Sequence, residues 1–341
     1  MTQHKIINAN SNSLCFIESE SINLIVTSPP YPMVEMWDNL FINQDNSIKN
    51  DLNTANGYYA FNKMHNILNK TWKECDRVLS KHGFICINIG DATRTLGDTF
   101  QLYSNHSKII EFFSSLGYSV LPDIIWRKPS NSPNKFMGSG MYPAGAYVTY
   151  EHEYILIFRK GGKRTFKGKE KELRQKSAYF WEERNAWFSD LWEINGTSQM
   201  LSNTSARGRN ASFPLEIPYR LVNMYSVEND IVLDPFCGLG TTNLACMVSH
   251  RNSIGVEIDN EITNIARERL NVSTTELNKV IDKRILAHRN FIESLSEEKK
   301  AKCYQNNYHG FPVKTKQETS AYISTISKLI NNKDFIICEY T

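Results

Sequence analysis

An apolar run, Ile22-Asn-Leu-Ile-Val26, leads directly into Thr27-Ser28-Pro29-Pro30-Tyr31, and this junction constrains the fold more than any other stretch of the chain. The run reads as a buried parallel strand. Two consecutive prolines cannot stay in a sheet, because each lacks an N–H and fixes φ. The strand must stop abruptly and present a hydroxyl, a carbonyl and an aromatic ring from its carboxyl end. In open α/β sheets ligands bind at that edge. The turn suits a planar group, with the ring stacked on it and the oxygens accepting its amino hydrogens. Taken alone, it reads equally well as a proline-rich turn with a packing tyrosine.

A second motif lies far down the chain. Ile231-Val-Leu-Asp234-Pro235-Phe236-Cys237-Gly238-Leu239-Gly240-Thr241-Thr242 is an apolar strand running into a glycine turn, and Asn243 to Met247 continues as a helix. Gly238 and Gly240, having no Cβ, allow the backbone to approach a ligand closely. The next strand, Ser253 to Asp259, ends in acid. Its Glu257 stands 17 residues beyond Gly240, near the spacing of about 20 at which a carboxylate meets ribose hydroxyls in nucleotide folds. Strand, glycine turn, helix, strand and acid point to a nucleoside-bearing cofactor. A dinucleotide is disfavoured, because Asn243 occupies the place of the third glycine of Gly-x-Gly-x-x-Gly.

Together the two motifs resemble the amino-group DNA methyltransferases that use S-adenosyl-L-methionine. Ser28-Pro-Pro-Tyr31 resembles their catalytic motif in the version typical of cytosine-N4 enzymes, and Asp234 to Gly240 resembles their cofactor motif, with Phe236, Gly238 and Gly240 matching its Phe-x-Gly-x-Gly core. The catalytic motif comes first, which is the permuted order of the beta subgroup. Gly83 to Asp91, Glu151 to Lys160 and Phe213-Pro214-Leu215 resemble other elements of that order. The resemblance covers about residues 5–160 and 210–270. It implies catalysis by Ser28, Pro29, Pro30 and Tyr31, and cofactor contact by Asp234, Phe236, Gly238, Gly240, Thr241, Glu257 and Phe213. The chain departs from the pattern at Asn10-Ser11, where many relatives carry Gly-Asp, so the partner of the cofactor adenine is left open.

The chemistry accounts for these residue types. An aromatic amine is a poor nucleophile because its lone pair is delocalised. If Ser28 and the Pro29 carbonyl accept its hydrogens, the nitrogen can pyramidalise and aim at the methyl donor. Tyr31 would stack on the base, which must be flipped out of its duplex. Cytosine C5 chemistry would need a cysteine nucleophile, typically in a Pro-Cys pair, and no such pair occurs. Cys237 reads as a packed turn residue.

Composition fits such an enzyme. The 341 residues can hold about two domains. No long apolar run follows the N-terminus, so neither a signal peptide nor a membrane span is expected, and a cytoplasmic location is. Seven scattered cysteines without Cys-x-x-Cys, and eight histidines without a His-x-x-x-His pair, predict reduced thiols and no metal. Net charge is only +3, but nine Lys or Arg against two Glu between Arg159 and Lys176 concentrate +7 there, leaving −4 elsewhere. Such a run is usually a solvated basic face. Its place between the catalytic and cofactor halves, where the beta order puts target recognition, makes residues 161–210 a candidate insert. Arg159, Lys160, Lys163, Arg164 and Lys167 are then expected to engage DNA phosphates. Thr197 to Ala211 reads as a loop from which Arg207 and Arg209 could reach DNA.

The expected architecture is α/β, a permuted Rossmann-like, doubly wound, mostly parallel sheet with an inserted target-recognition region. Residues 1–160 form the catalytic half, 211–274 the cofactor half and 275–341 an accessory segment. Lys5–Ile7 forms the first strand. Met64, Ile67, Leu68, Cys75, Val78 and Leu79 form one helical stripe broken off by Gly83, and Ile109, Phe112, Phe113 and Leu116 another, ended by Gly117. Two long loops, Pro32 to Asn56 and Ser130 to Gly145, are expected to close over a flipped base. The expected function is methylation of cytosine N4 in a short double-stranded DNA target. As implied by the resemblance, the enzyme would protect host DNA beside a restriction endonuclease without a stable complex, as monomer or homodimer. Adenine-N6 methylation by the same fold, a non-catalytic DNA-binding regulator, and a methyltransferase for protein glutamine or an RNA amine are the competing readings.

Overall fold

The computed structural model describes residues 1–128, 141–196, 213–332 and 335–341, with backbone alone at 137–138. Its centre is a ten-stranded sheet. We number the strands β1 (Thr2–Asn8), β2 (Ile22–Thr27), β3 (Leu79–Ile89), β4 (Ser119–Arg127), β5 (His152–Arg159), β6 (Leu191–Glu193), β7 (Ile231–Asp234), β8 (Asn252–Glu257), β9 (Ile326–Asn332) and β10 (Phe335–Tyr340). They lie in the order β6-β4-β5-β3-β2-β7-β8-β1-β10-β9. Only β5 and β10 run against the others. The permuted, doubly wound, mostly parallel sheet is therefore observed.

The central position of β2, between β3 and β7, explains its unbroken apolar run: both of its faces are covered. Leu24 and Val26 pack on one face with Leu221, Val222 and Leu244, and Ile25 on the other with Met64, Leu68 and Trp72. Among the helices we number α1 (Gly57–Val78), α2 (Asn105–Ser115), α3 (Glu216–Tyr225), α4 (Thr241–Met247), α5 (Asn260–Leu270) and α6 (Thr274–Glu293), of which α1, α3 and α4 supply these residues.

Several sequence expectations require correction. The stripe of α1 ends at Val78, because Leu79 already opens β3, and Gly83 lies inside that strand instead of ending a helix. A Cβ at Gly83 would come 2.9 Å from the Asn23 carbonyl and 2.8 Å from Leu79 Cδ1; glycine is needed there for close approach to β2. Leu116 lies beyond α2 and is 41% exposed. The expected loop Pro32 to Asn56 contains a 3-10 turn at Glu35–Trp37 and short helices at Asp38–Ile42 and Ser47–Asn53, with Phe41 and Ile48 fully buried. Of the other loop, 130–136 and 139–140 lie outside the described residues, as does the loop read at Thr197 to Ala211.

The stretch read as an insert and the C-terminal segment both add strands to the sheet. β6, from the stretch read as an insert, pairs with β4, and Phe180, Trp187 and Trp192 sit in the same core as Leu24. At the other end β10 pairs with β1. Leu277 and Ile281 of α6 enter that same core. The two segments also hold each other: Arg284 binds Glu183 through two hydrogen bonds of 2.6 and 2.8 Å, and His288 stacks on Phe180 at 3.8 Å.

Candidate active site

The carboxyl ends of β2, β7 and β8 converge on one cavity of about 740 Å³. Ser28 and Pro30 line it from the catalytic turn, and Asp234, Phe236, Gly238, Thr241, Glu257 and Phe213 from the cofactor side. Two motifs some 200 residues apart in sequence thus open into the same space. Parallel strands side by side place their carboxyl ends at one edge of the sheet, which is why the two turns meet.

Each cofactor-side residue has a distinct task. The Asp234 carboxylate is buried and accepts from Thr27 Oγ1 at 2.6 Å, Thr242 Oγ1 at 2.7 Å and the Phe236 N–H at 3.1 Å. Burial nevertheless pushes its pKa up to about 6. Its oxygens brace the turn from within. Glu257 accepts from the Gly238 N–H at 3.0 Å and the Asp259 N–H at 2.9 Å, and burial raises its pKa as well. Two carboxylate oxygens have about four lone-pair directions, so Glu257 keeps accepting capacity toward the cavity it lines. Gly238 has φ +50° with nothing within 4 Å of a notional Cβ. Gly240 does not line the cavity. It has φ +73°, and a Cβ there would meet Leu270 Cδ1 at 2.7 Å, so it serves the turn and the packing of α5. The Thr241 hydroxyl accepts from Arg269 Nη1 at 3.0 Å. Trp72 braces Phe236 edge-on at 5.6 Å. Cys237 is buried, with its thiol pKa pushed well up, as suits a packed turn residue.

On the catalytic side, Pro29 and Pro30 are buried, and Ser28 and Tyr31 half-buried. Ser28 Oγ lies 3.1 Å from Tyr31 Oη, which donates to Glu153 Oε2 at 2.9 Å and accepts from Asn88 Nδ2 at 2.8 Å. The second Asn88 amide hydrogen goes to Glu153 Oε2 at 2.6 Å, and Lys128 pairs with Glu153 Oε1. Burial and the neighbouring Glu153 push the Tyr31 phenol well above its ordinary pKa. A Cβ at Gly90 would come 3.0 Å from the Tyr31 ring, so glycine at the end of β3 makes room for it.

Sequence reasoning missed Asn88, Lys128 and Glu153, which come from three different strand ends. The one signal was a polar residue in or beside an apolar run, Asn88 within Ile85–Ile89 and Glu153 just before Tyr154–Phe158. Met36 to Gln44, within the Pro32 to Asn56 segment expected near the site, form one cavity wall; Asn10 and Ser11 also line the cavity, as do Asn12 and Ile258, which sequence reasoning missed. Asn10-Ser11 stands where the Gly-Asp of the pattern is lacking, and Ile258 is 48% exposed beside the acid.

The basic residues are placed otherwise than expected. Arg159 pairs with Phe84, which is level with Leu24 near the amino end of β2, because β5 runs antiparallel to β3. The chain therefore leaves β5 at the edge of the sheet opposite the catalytic turn. There Lys160 Nζ donates to the Asp76 and Leu79 carbonyls, Arg164 grips Asp230 through bonds of 2.9 and 2.8 Å, and Arg159 Nε donates to the Gly161 carbonyl. Lys163 and Lys167 are exposed. None of the five is brought to the catalytic turn. Arg207 and Arg209 lie outside the described residues.

Among the described residues no group of His, Cys, Asp and Glu could hold a metal ion, and no helix is long and apolar enough to cross a membrane. All seven cysteines are free. The cavity fits a nucleoside-bearing methyl donor: a glycine without a Cβ, an acid with unused lone pairs, an exposed isoleucine beside it, and an aromatic ring.

A Rossmann-like sheet with a Ser-Pro-Pro-Tyr turn facing a nucleoside cradle defines an amino-group methyltransferase. Residues 22–268 match the DNA methylase family of N6 and N4 methyltransferases, and the chain belongs to it. The Type II methyltransferase M.MthZI of Methanothermobacter thermautotrophicus is 50% identical over 338 residues, 97% of this chain and 94% of that one. M.MjaI of Methanocaldococcus jannaschii, also a Type II methyltransferase, is 48% identical over 80% of this chain and 92% of its own. Among solved structures, a Thermus thermophilus protein proposed to be a DNA modification methylase, complexed with S-adenosyl-L-methionine, aligns with TM-score 0.60 at 28% identity, over 79% of this chain and 93% of that one. The cytosine-N4-specific PvuII DNA methyltransferase shares the fold, with TM-score 0.52 at 17% identity over 83% and 93% of the two chains. The protein is a DNA methyltransferase of the restriction-modification type, with S-adenosyl-L-methionine as cofactor.

Proposed function

We propose that the chain methylates N4 of cytosine in a short duplex target, and that it protects DNA against a partner restriction endonuclease without forming a stable complex with it. The observation that carries this reading is the opening of Ser28 into the same cavity as Gly238 and Glu257. Glu257 would hold the ribose hydroxyls, Phe236 and Ile258 would flank the adenine, and the Gly238 turn would admit the cofactor backbone. When bound, S-adenosyl-L-methionine supplies an electrophilic methyl group. The protein supplies acceptors: Ser28 Oγ and the Pro29 carbonyl take the two amino hydrogens, and Tyr31 stacks on the flipped base.

Serine at the first position of the turn, in place of the Asn or Asp usual in adenine-N6 enzymes, supports cytosine. Adenine offers a similar amino edge, so product identity is the test. Incubation with unmethylated duplex DNA and labelled cofactor, followed by digestion to nucleosides, should yield N4-methylcytosine. N6-methyladenine would overturn the base assignment, and a bound cofactor without labelled DNA would favour a regulator.

A further inference from the structure

The hydrogen bonds around Tyr31 can run in only one direction. Glu153 as a carboxylate has no hydrogen to give, so in the 2.9 Å contact the single Tyr31 hydroxyl hydrogen points to Glu153 Oε2. Tyr31 Oη also accepts from Asn88 Nδ2, whose other hydrogen is held by the same Glu153 oxygen. With its own hydrogen committed, Tyr31 can only accept in the 3.1 Å contact with Ser28. Ser28 must then donate to Tyr31, which leaves the lone pairs of its oxygen free for the cavity it lines. Lys128 pairs with the far carboxylate oxygen of Glu153.

We propose that Glu153 is a positioning residue for the amine that is methylated: through Tyr31 it holds Ser28 as a hydrogen acceptor, and it receives the proton the amine loses. The inference rests on the amino-methylation reading above. The amine enters with two N–H bonds and leaves with one. Its lone pair forms the N–C bond while the sulfonium gives up its methyl and keeps the bonding pair. One N–H bond then breaks with its electrons remaining on nitrogen, and the proton passes to Ser28 Oγ. Ser28 passes its own proton to Tyr31 Oη, and Tyr31 passes its own to Glu153 Oε2. The carboxylate becomes a carboxylic acid, which solvent reclaims after product leaves. The side chain of Glu153 is only 12% exposed, which keeps the acceptor partly shielded during the step.

The test is Glu153→Gln, which preserves shape and can still hydrogen-bond but cannot take the proton. Single-turnover methyl transfer to duplex DNA should fall at least about tenfold, while the Kd values for cofactor and for DNA stay within twofold. In cofactor-free protein labelled at tyrosine 13Cζ, the Tyr31 signal, identified by its absence in Tyr31→Phe, should shift as donation to a carboxylate is lost. Tyr31→Phe cuts the same chain, so the double variant should be no slower than the slower single one. A wild-type rate in Glu153→Gln, or additive losses in the double variant, would overturn the proposal. So would a parallel loss of cofactor or DNA affinity, which marks a merely structural strut. Should Glu153→Gln not fold, Tyr31→Phe decides alone, and a rate within twofold of wild type refutes the chain. If wild-type protein methylates no amine in DNA, the amino-methylation reading fails instead, and the two failures are told apart.

Discussion

Thr27 Oγ1 donates to Asp234 Oδ1 over 2.6 Å, and this one bond ties the end of the catalytic strand to the end of the cofactor strand. β2 and β7 are neighbours paired through Leu24–Val232 and Ile25–Leu233, so the bond caps their ladder where both strands leave the sheet. The geometry between Ser28 and the Gly238 turn depends on it.

Because burial raises Asp234 to about 6, against about 3.9 in an unfolded chain, the folded state binds this proton more tightly. Stability from this group therefore falls as pH rises from about 4 to about 6 and is level above that. Asp234→Asn should remove that slope, at most roughly 3 kcal/mol across the window. Urea denaturation of both proteins at several pH values checks it, and parallel pH profiles would contradict the assignment.

Ser28→Ala should lower methyl transfer by about 10²-fold or more and leave cofactor affinity nearly intact. Among the described residues the Ser28 hydroxyl bonds to Tyr31, which lies on the catalytic side and away from the cofactor cradle. Calorimetric cofactor binding alongside single-turnover kinetics gives both numbers, and near-normal methylation would remove Ser28 from the mechanism.

Glu257→Ala should raise the KM for cofactor by about ten- to a hundredfold, as expected for loss of hydrogen bonds to a charged group worth about 1.5–3 kcal/mol, with little change in DNA affinity. It also frees the Gly238 and Asp259 N–H groups, so some loss of stability should accompany it. A change confined to DNA binding would contradict the ribose assignment.

Gly240→Ala should destabilise the fold by about 1–3 kcal/mol, since it combines a left-handed φ with a clash against Leu270. Gly238→Ala meets only the smaller conformational cost of about 1–2 kcal/mol, because its Cβ direction is open. Thermal unfolding of the pair tests the order, and a Gly238 variant less stable than the Gly240 variant would refute it.

Much of the site was legible because its determinants are local. Consecutive prolines end β2, a Gly-x-Gly turn leads into α4, and an acid ends β8, each within a few residues. Helix boundaries were less legible. The stripe of α1 reads on to Leu79 because an apolar residue fits a helix face and a strand face alike, and only the neighbouring backbone of Asn23 explains why Gly83 belongs to a strand. The placement of the charge run was hard to read for a related reason. A count of lysines and arginines carries no direction, whereas the antiparallel course of β5 delivers that segment to the far edge of the sheet.

By itself the sequence determined the α/β class, the order of the two halves, the catalytic turn and the cofactor turn, because period, proline and glycine act on the chain where they stand. Tertiary structure decided the rest. It made one core of segments that looked separate, paired Arg164 with Asp230, and gathered Asn88, Lys128 and Glu153 around Tyr31. Those contacts join residues far apart in the chain, and strand order in a sheet is set by the packing of the whole fold, which no short stretch of sequence encodes.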